Sequence, residues 1–127
     1  MLSSQFLRFA IVGAIAFVVD AVLLLIAIEG LRWAPEVARI LSFLGAVTTT
    51  WYLNRTFTFR TQKAPSLVEF LSYLGGMQVG LATNFSTFFL VLYLSDTATR
   101  YPIIALAIAT IAGMTLNFLI SRRILQK

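Results

Sequence analysis

The sequence predicts an all-α polytopic membrane protein, with four transmembrane helices built as two helical hairpins in parallel repeat. Three observations predict it. The 127 residues are 59% hydrophobic and only 12% charged, about half the charged share of an ordinary soluble domain. The apolar residues gather into four long runs. The basic residues sit at the ends of those runs, where membrane topology and anionic head groups place them.

The runs cover about 6–28, 36–59, 67–94 and 101–121. Each is long enough to cross roughly 30 Å of hydrocarbon as a helix, which takes about 20 residues. None alternates at period two as a barrel strand would, so helix is the spanning form. Together they make one four-helix domain over residues 1–127. Gly30 to Pro35 forms the first connector, with Trp33 suited to an interface. Arg60 to Ser66 forms the second, and Ser95 to Arg100 the third. Tyr101 and Pro102 then open the last helix, with proline in the position it favours. Connectors this short make neighbouring helices antiparallel. The first run is too long for a signal peptide and leads straight into further spans.

Charge sets the orientation. Arg8, Arg55, Arg60, Lys63, Arg122, Arg123 and Lys127 fall on one side. Arg32, Arg39 and Arg100 fall on the other, offset by Glu29, Glu36 and Asp96. The positive-inside rule puts the richer side, and with it both termini and the middle loop, in the cytoplasm of a multi-pass inner-membrane protein. The net charge of +5 therefore reads as topology rather than as a nucleic-acid surface. The chain has no cysteine and no histidine. That excludes disulfides, thiolate or imidazole metal sites, Ser-His-Asp triads and Cys-His dyads. No phosphate-loop or dinucleotide fingerprint occurs. No pair of carboxylates shares a face, so we expect neither an enzyme nor a cofactor. Asn54-Arg55-Thr56 and Asn84-Phe85-Ser86 match the glycosylation pattern but fall in or at spans.

The two halves repeat. A shift of 64 residues lays Gln5–Phe9 on Glu69–Tyr73, Ala16 on Gly80 and Asp20 on Asn84. A shift of 63 lays Leu53-Asn54 on Leu116-Asn117 and Arg60 on Arg123. Two spans per copy mean that both copies enter from the same side, as parallel repeats. Each helix also carries a stripe of small residues ending in one polar group: Gly13, Ala16 and Asp20; Ser42, Ala46, Thr50 and Asn54; Gly76, Gly80 and Asn84; Ala105, Ala109, Gly113 and Asn117. Spacings of three and four keep each stripe on one face. Two uses suit them: close helix packing, and a polar path shielded from lipid.

Asp20 lies 12 residues beyond Arg8, roughly 18 Å along a helix and near the bilayer middle. An ionised Asp there costs roughly 2.5–3.5 kcal/mol, and Arg39 at a neighbouring depth is the candidate partner. A static ion pair, a proton-titrating or ligand-contacting group, and a protonated hydrogen-bonded Asp are the open readings. Arg122 and Arg123 read as topology anchors that snorkel to head groups, or as phosphate ligands. Arg55 follows the striped Asn54, and an amide beside a guanidinium fork makes a good phosphate site, with Arg8 converging on it. Phe6, Phe9, Phe57, Phe59, Phe70 and Tyr73 crowd that boundary as an aromatic belt.

These residues resemble a known family. Phe6–Gly13 resembles the Arg-Phe-x-x-x-Gly opening of the GtrA-like family, and Leu53–Arg60 its Asn-Arg-x-x-Thr-Phe run on the second helix. Asn117–Arg123 resembles the ending of its fourth helix, except that Phe118 stands where the second helix has Arg55. The resemblance spans nearly the whole chain. It implies a small four-helix membrane protein of cell-surface polysaccharide synthesis. Such a protein would move a polyprenyl-phosphate-linked sugar, such as undecaprenyl-phosphate-glucose, from the inner to the outer leaflet. It also implies a dolichol-phosphate-mannose-synthase-like glycosyltransferase as a partner. By motif it carries over Arg8, Asn54 and Arg55 as phosphate-binding positions, to which Arg122 and Arg123 add by location. Asp20, Arg39, Asn84 and Asn117 are the candidates for the path or for coupling. Two other readings are a non-transporting adaptor for a glycosyltransferase and a small proton-coupled exporter using Asp20. Four helices make a thin wall around a path, so we expect a homo-oligomer, a dimer, among membrane lipids.

Overall fold

A computed structural model describes residues 2–126, so Lys127 of the basic side lies outside the described residues. Helix α1 runs Leu2–Leu25 and continues as a π turn over Ile26–Gly30. Helix α2 runs Pro35–Leu53 and continues as a second π turn over Asn54–Thr58. Helices α3 (Leu67–Leu94), α4 (Asp96–Arg100) and α5 (Pro102–Leu125) complete the chain. No strand occurs among the described residues. The chain divides into two compact units, one reaching to Pro65 and one over Ser66–Leu125.

The helix starts follow from local chemistry. Pro35 opens α2, where its missing N–H costs nothing. Ser66 caps α3, its hydroxyl accepting from Glu69 N at 3.1 Å, in the Ser-x-x-Glu spacing of a capping box. Ser95 caps α4, accepting from Ala98 N at 3.2 Å. The third connector is thus a short helix rather than an irregular loop. Asp96 in its first turn and Arg100 in its last both suit the helix dipole.

The ends of the first unit's helices close alike. After α1, Leu31 N donates to Ile26 O at 3.0 Å and Trp33 N to Ala27 O at 2.9 Å. After α2, Phe59 N donates to Asn54 O at 2.8 Å and Thr61 N to Arg55 O at 2.7 Å. These bonds reach five and six residues back, so the last turn is wide, and carbonyls that a plain helix end would orphan are used. Each closure needs one left-handed residue: Arg32 with φ 61° and Arg60 with φ 50°.

In the first unit α2 packs antiparallel on α1. Asp20 meets Arg39, Leu23 and Val19 crowd the space above Gly45, and Arg8 lies over the Phe57 ring. In the second unit α3 and α5 run antiparallel with their backbones close. A Cβ at Gly76 would fall 2.6 Å from Ile120 Cγ2, and one at Gly113 would fall 2.9 Å from Asn84 Cβ and 3.0 Å from Gly80 O. A Cβ at Gly80 would fall inside the Asn117 amide. The stripes of small residues on these two helices therefore serve close approach, the first of their two expected uses.

Large apolar side chains point outward on every long helix, among them Phe17, Ile40, Val68, Phe89, Leu94, Ile103 and Ile111. Water would not tolerate that surface, and lipid does. Three stretches are long and apolar enough to cross a membrane: Ser3–Gly30, Leu67–Leu94 and Pro102–Leu125. Helix α2 is more polar, carrying Glu36, Arg39, Ser42 and the Thr48–Thr50 run, so composition alone does not make it a span. The chain is a multi-pass membrane protein.

Candidate functional site

The first unit's basic end is built on the π turn Asn54–Thr58. Thr58 stands four residues after Asn54, and its Oγ1 donates to Asn54 Oδ1 at 2.8 Å with both side chains buried. Arg55 is also buried, at 4% exposure. Its Nη2 donates to Lys63 O at 2.7 Å, while its own carbonyl accepts from Thr61 N. Backbone and guanidinium of Arg55 together hold the connector that follows α2. Gln62 Nε2 adds a bond to Arg60 O at 3.1 Å. Arg8, half-buried on α1, closes the same end with its guanidinium 5.7 Å from the Phe57 ring centre, a cation–π distance.

The structure places Arg8 beside the turn that carries Asn54 and Arg55. It places Arg55 differently from an open phosphate fork. The guanidinium is buried and occupied by protein carbonyl, and Arg8 and Arg60 present the more accessible charge.

Asp20 and Arg39 form an ion pair, Arg39 Nη1 to Asp20 Oδ1, at 2.6 Å. The same Nη1 lies 3.1 Å from Ser42 Oγ, which donates to Arg39 O at 3.1 Å. Ser42 is wholly buried and so fixes the arginine one turn into α2. Arg39 remains 57% exposed and Asp20 22%, so the pair is reachable from outside the unit.

In the second unit Asn84 and Asn117 each lie against a glycine of the other helix, Asn84 against Gly113 and Asn117 against Gly80. Asn117 Oδ1 and Ser121 Oγ are buried without a hydrogen-bond partner. Arg122 and Arg123 lie in the last turn of α5, both exposed. Three participants escape a reading of single residues. Thr58 and Ser121 each follow an asparagine by four, a polar pair on one helix face. Glu69 is a carboxylate at 7% exposure, marked in the sequence only by its capping-box spacing from Ser66. No group of three or more Asp or Glu side chains that could hold a metal ion occurs among the described residues.

The Asn-Arg-x-x-Thr-Phe run is now placed: its Asn, Arg and Thr are the buried residues of the π turn. The family model for the GtrA/DPMS transmembrane domain matches residues 8–125. The chain belongs to that family. The match begins on Arg8 and takes in the Asn54–Thr58 turn, the Asp20–Arg39 pair and the α3–α5 contact. Membership in the GtrA/DPMS family places the chain among membrane proteins of glycosylation and polysaccharide synthesis. No curated protein matches the chain.

Proposed function

We propose that this GtrA-like protein carries a polyprenyl-phosphate-linked sugar from the inner to the outer leaflet. In this reading α2 is a fourth span, the termini are cytoplasmic, and two chains associate to enclose the path. The observation that carries the reading is the basic end of the first unit. Asn54, Arg55 and Thr58 are buried on one turn, and Arg8 stands beside them on α1, a grouping of amide, hydroxyl and guanidinium donors that suits an anion. Phosphate suits a guanidinium because it accepts two parallel bonds. On docking beside Arg8 it would exchange with Lys63 O at Arg55 and loosen the connector that Arg55 holds. The prenyl chain would stay in lipid against the apolar exterior. Asp20 and Arg39 would then offer a charged relay farther along, where the arginine can trade its carboxylate for the passing phosphate.

The test is transbilayer movement of a polyprenyl-phosphate-linked hexose in liposomes holding the purified chain. Arg8→Ala, Asn54→Ala and Arg55→Ala are compared with wild type after each is shown to be folded and inserted. Movement in wild type that falls at least about tenfold in the arginine variants supports the reading, since a lost charged hydrogen bond is worth roughly 1.5–3 kcal/mol. One observation favours an adaptor instead: Arg55 serves the connector as a strut, which would shape a docking loop for a glycosyltransferase. Recruitment of that enzyme without lipid movement would establish the adaptor.

A further inference from the structure

The two units carry the same polar pair in two different states. The shift of 63 residues that lays Asn54 on Asn117 also lays Thr58 on Ser121. In the first unit the hydroxyl closes on the amide, Thr58 Oγ1 to Asn54 Oδ1 at 2.8 Å. In the second unit the spacing is the same and the bond is not made. Asn117 Oδ1 and Ser121 Oγ are each buried and each without a partner, and Ser121 has no exposed surface at all. Buried polar atoms are nearly always bonded, so an unmade pair on adjacent turns of one face leaves two hydrogen-bonding positions for a bound group to fill.

The chemistry of that ligand follows from the two atoms. The amide oxygen only accepts, while a serine hydroxyl donates and accepts. A hydroxyl group placed between them donates to Asn117 Oδ1 and accepts from Ser121 Oγ, satisfying both. A phosphate or carbonyl oxygen accepts only, and would leave Asn117 Oδ1 unpaired. An ammonium would bring a charge to a seam whose other residues, Gly76, Gly80, Asn84 and Gly113, carry none. The neighbouring position agrees: Asn54 is followed by the buried charge of Arg55, Asn117 by the buried ring of Phe118. Gly80 fixes the amide, since the Asn117 side chain fills the space where a Cβ would stand.

We propose that Asn117 and Ser121 recognise a hydroxyl of the sugar on the lipid-linked substrate. This rests on the substrate class proposed above and deepens it. Arg122 and Arg123 follow directly along α5, so a phosphate next to that sugar meets a cation without entering the neutral seam.

The test is equilibrium binding of two probes to the full chain in nanodiscs: a polyprenyl-phosphate-linked hexose, and the same polyprenyl phosphate without sugar. Wild type binds the hexosyl lipid more tightly. Ser121→Ala, which removes one atom and adds none, lowers that preference by about three- to tenfold, and leaves affinity for the sugar-free lipid unchanged. Asn117→Ala does the same. Equal wild-type affinity for the two lipids, or a preference that survives both variants, overturns the proposal and assigns the pair to a bound water. A wild type that prefers the hexosyl lipid yet fails to move it in liposomes keeps the sugar site and removes the translocation reading, so the two fail separately.

Discussion

At the scale of single residues, the polar groups of this chain fall into satisfied and unsatisfied sets, and the two predict opposite effects of mutation. Asp20 and Arg39 neutralise each other at 2.6 Å. Asp20→Asn leaves a cation in apolar surroundings, so it lowers the thermal midpoint in detergent, as does Arg39→Gln. The double variant recovers most of the loss, because neither charge is stranded. Additive losses in that cycle would show that the pair is not coupled. Ser121 stands on the other side. Its buried hydroxyl has no partner, and such a group costs roughly 1–3 kcal/mol. Ser121→Ala therefore raises the stability of the ligand-free protein by about 1 kcal/mol, read as a higher thermal midpoint. A residue kept at the expense of stability is what a binding site needs and what packing does not. Pairing of Asp20 with Arg39 is legible from the sequence, because a carboxylate placed by residue count near the bilayer middle needs a cation at its depth. The fate of Arg55 is not legible. Its guanidinium bonds a backbone carbonyl eight residues away, and no pattern of side chains announces that contact.

At the scale of elements, the glycines sort by what faces them. Gly80 lies against Asn117 with no room for a methyl group, so Gly80→Ala costs about 1–3 kcal/mol through overpacking. Gly13 and Gly75 face open space within 4 Å. Alanine at either is neutral or stabilises by up to about 1 kcal/mol, the helix-propensity gain. Unfolding of the three variants in detergent separates the two cases. Arg60 holds φ 50° after the second π turn, a region that costs a non-glycine residue roughly 1–2 kcal/mol. Arg60→Gly is therefore expected to stabilise the connector by about 1 kcal/mol. Helix boundaries are legible where side chains cap them, as Ser66 and Ser95 flank Leu67–Leu94 of α3. The π turns are hidden, since apolar residues three and four apart do not reveal whether a carbonyl is met four or five residues on. The left-handed arginines are hidden for a related reason, as glycine is the residue that normally signals such an end. Helix α4 is too short for any periodicity to show.

At the scale of the whole molecule, composition dictates the solvent and the motif supplies the chemistry. An exterior carrying Phe17, Val68, Phe89 and Ile103 cannot face water, so the charged groups are confined to helix ends and to the Asp20–Arg39 pair. The sequence displays that confinement openly, and with it the membrane class. It is less explicit about α2, whose Glu36, Arg39 and threonines dilute its apolar character. Spanning by α2 is a prediction of its own. With four spans, a cysteine placed at Lys63 and one placed at Gln126 react with an impermeant thiol reagent from the same side of sealed vesicles, and one placed at Asp96 reacts from the other. The chain has no cysteine of its own to interfere. Labelling of Lys63 and Gln126 from opposite sides would deny α2 its crossing.

The central claim is that the buried Asn54–Thr58 turn, with Arg8, serves a lipid-linked phosphate. Its most direct measurement is the initial rate at which liposomes bearing the chain move a polyprenyl-phosphate-linked hexose between leaflets, for wild type and for Arg55→Ala shown to be folded. The account predicts movement well above protein-free liposomes in wild type, and a loss of at least about tenfold in the variant. Wild-type movement no faster than in empty liposomes, or movement unchanged by Arg55→Ala, would contradict it.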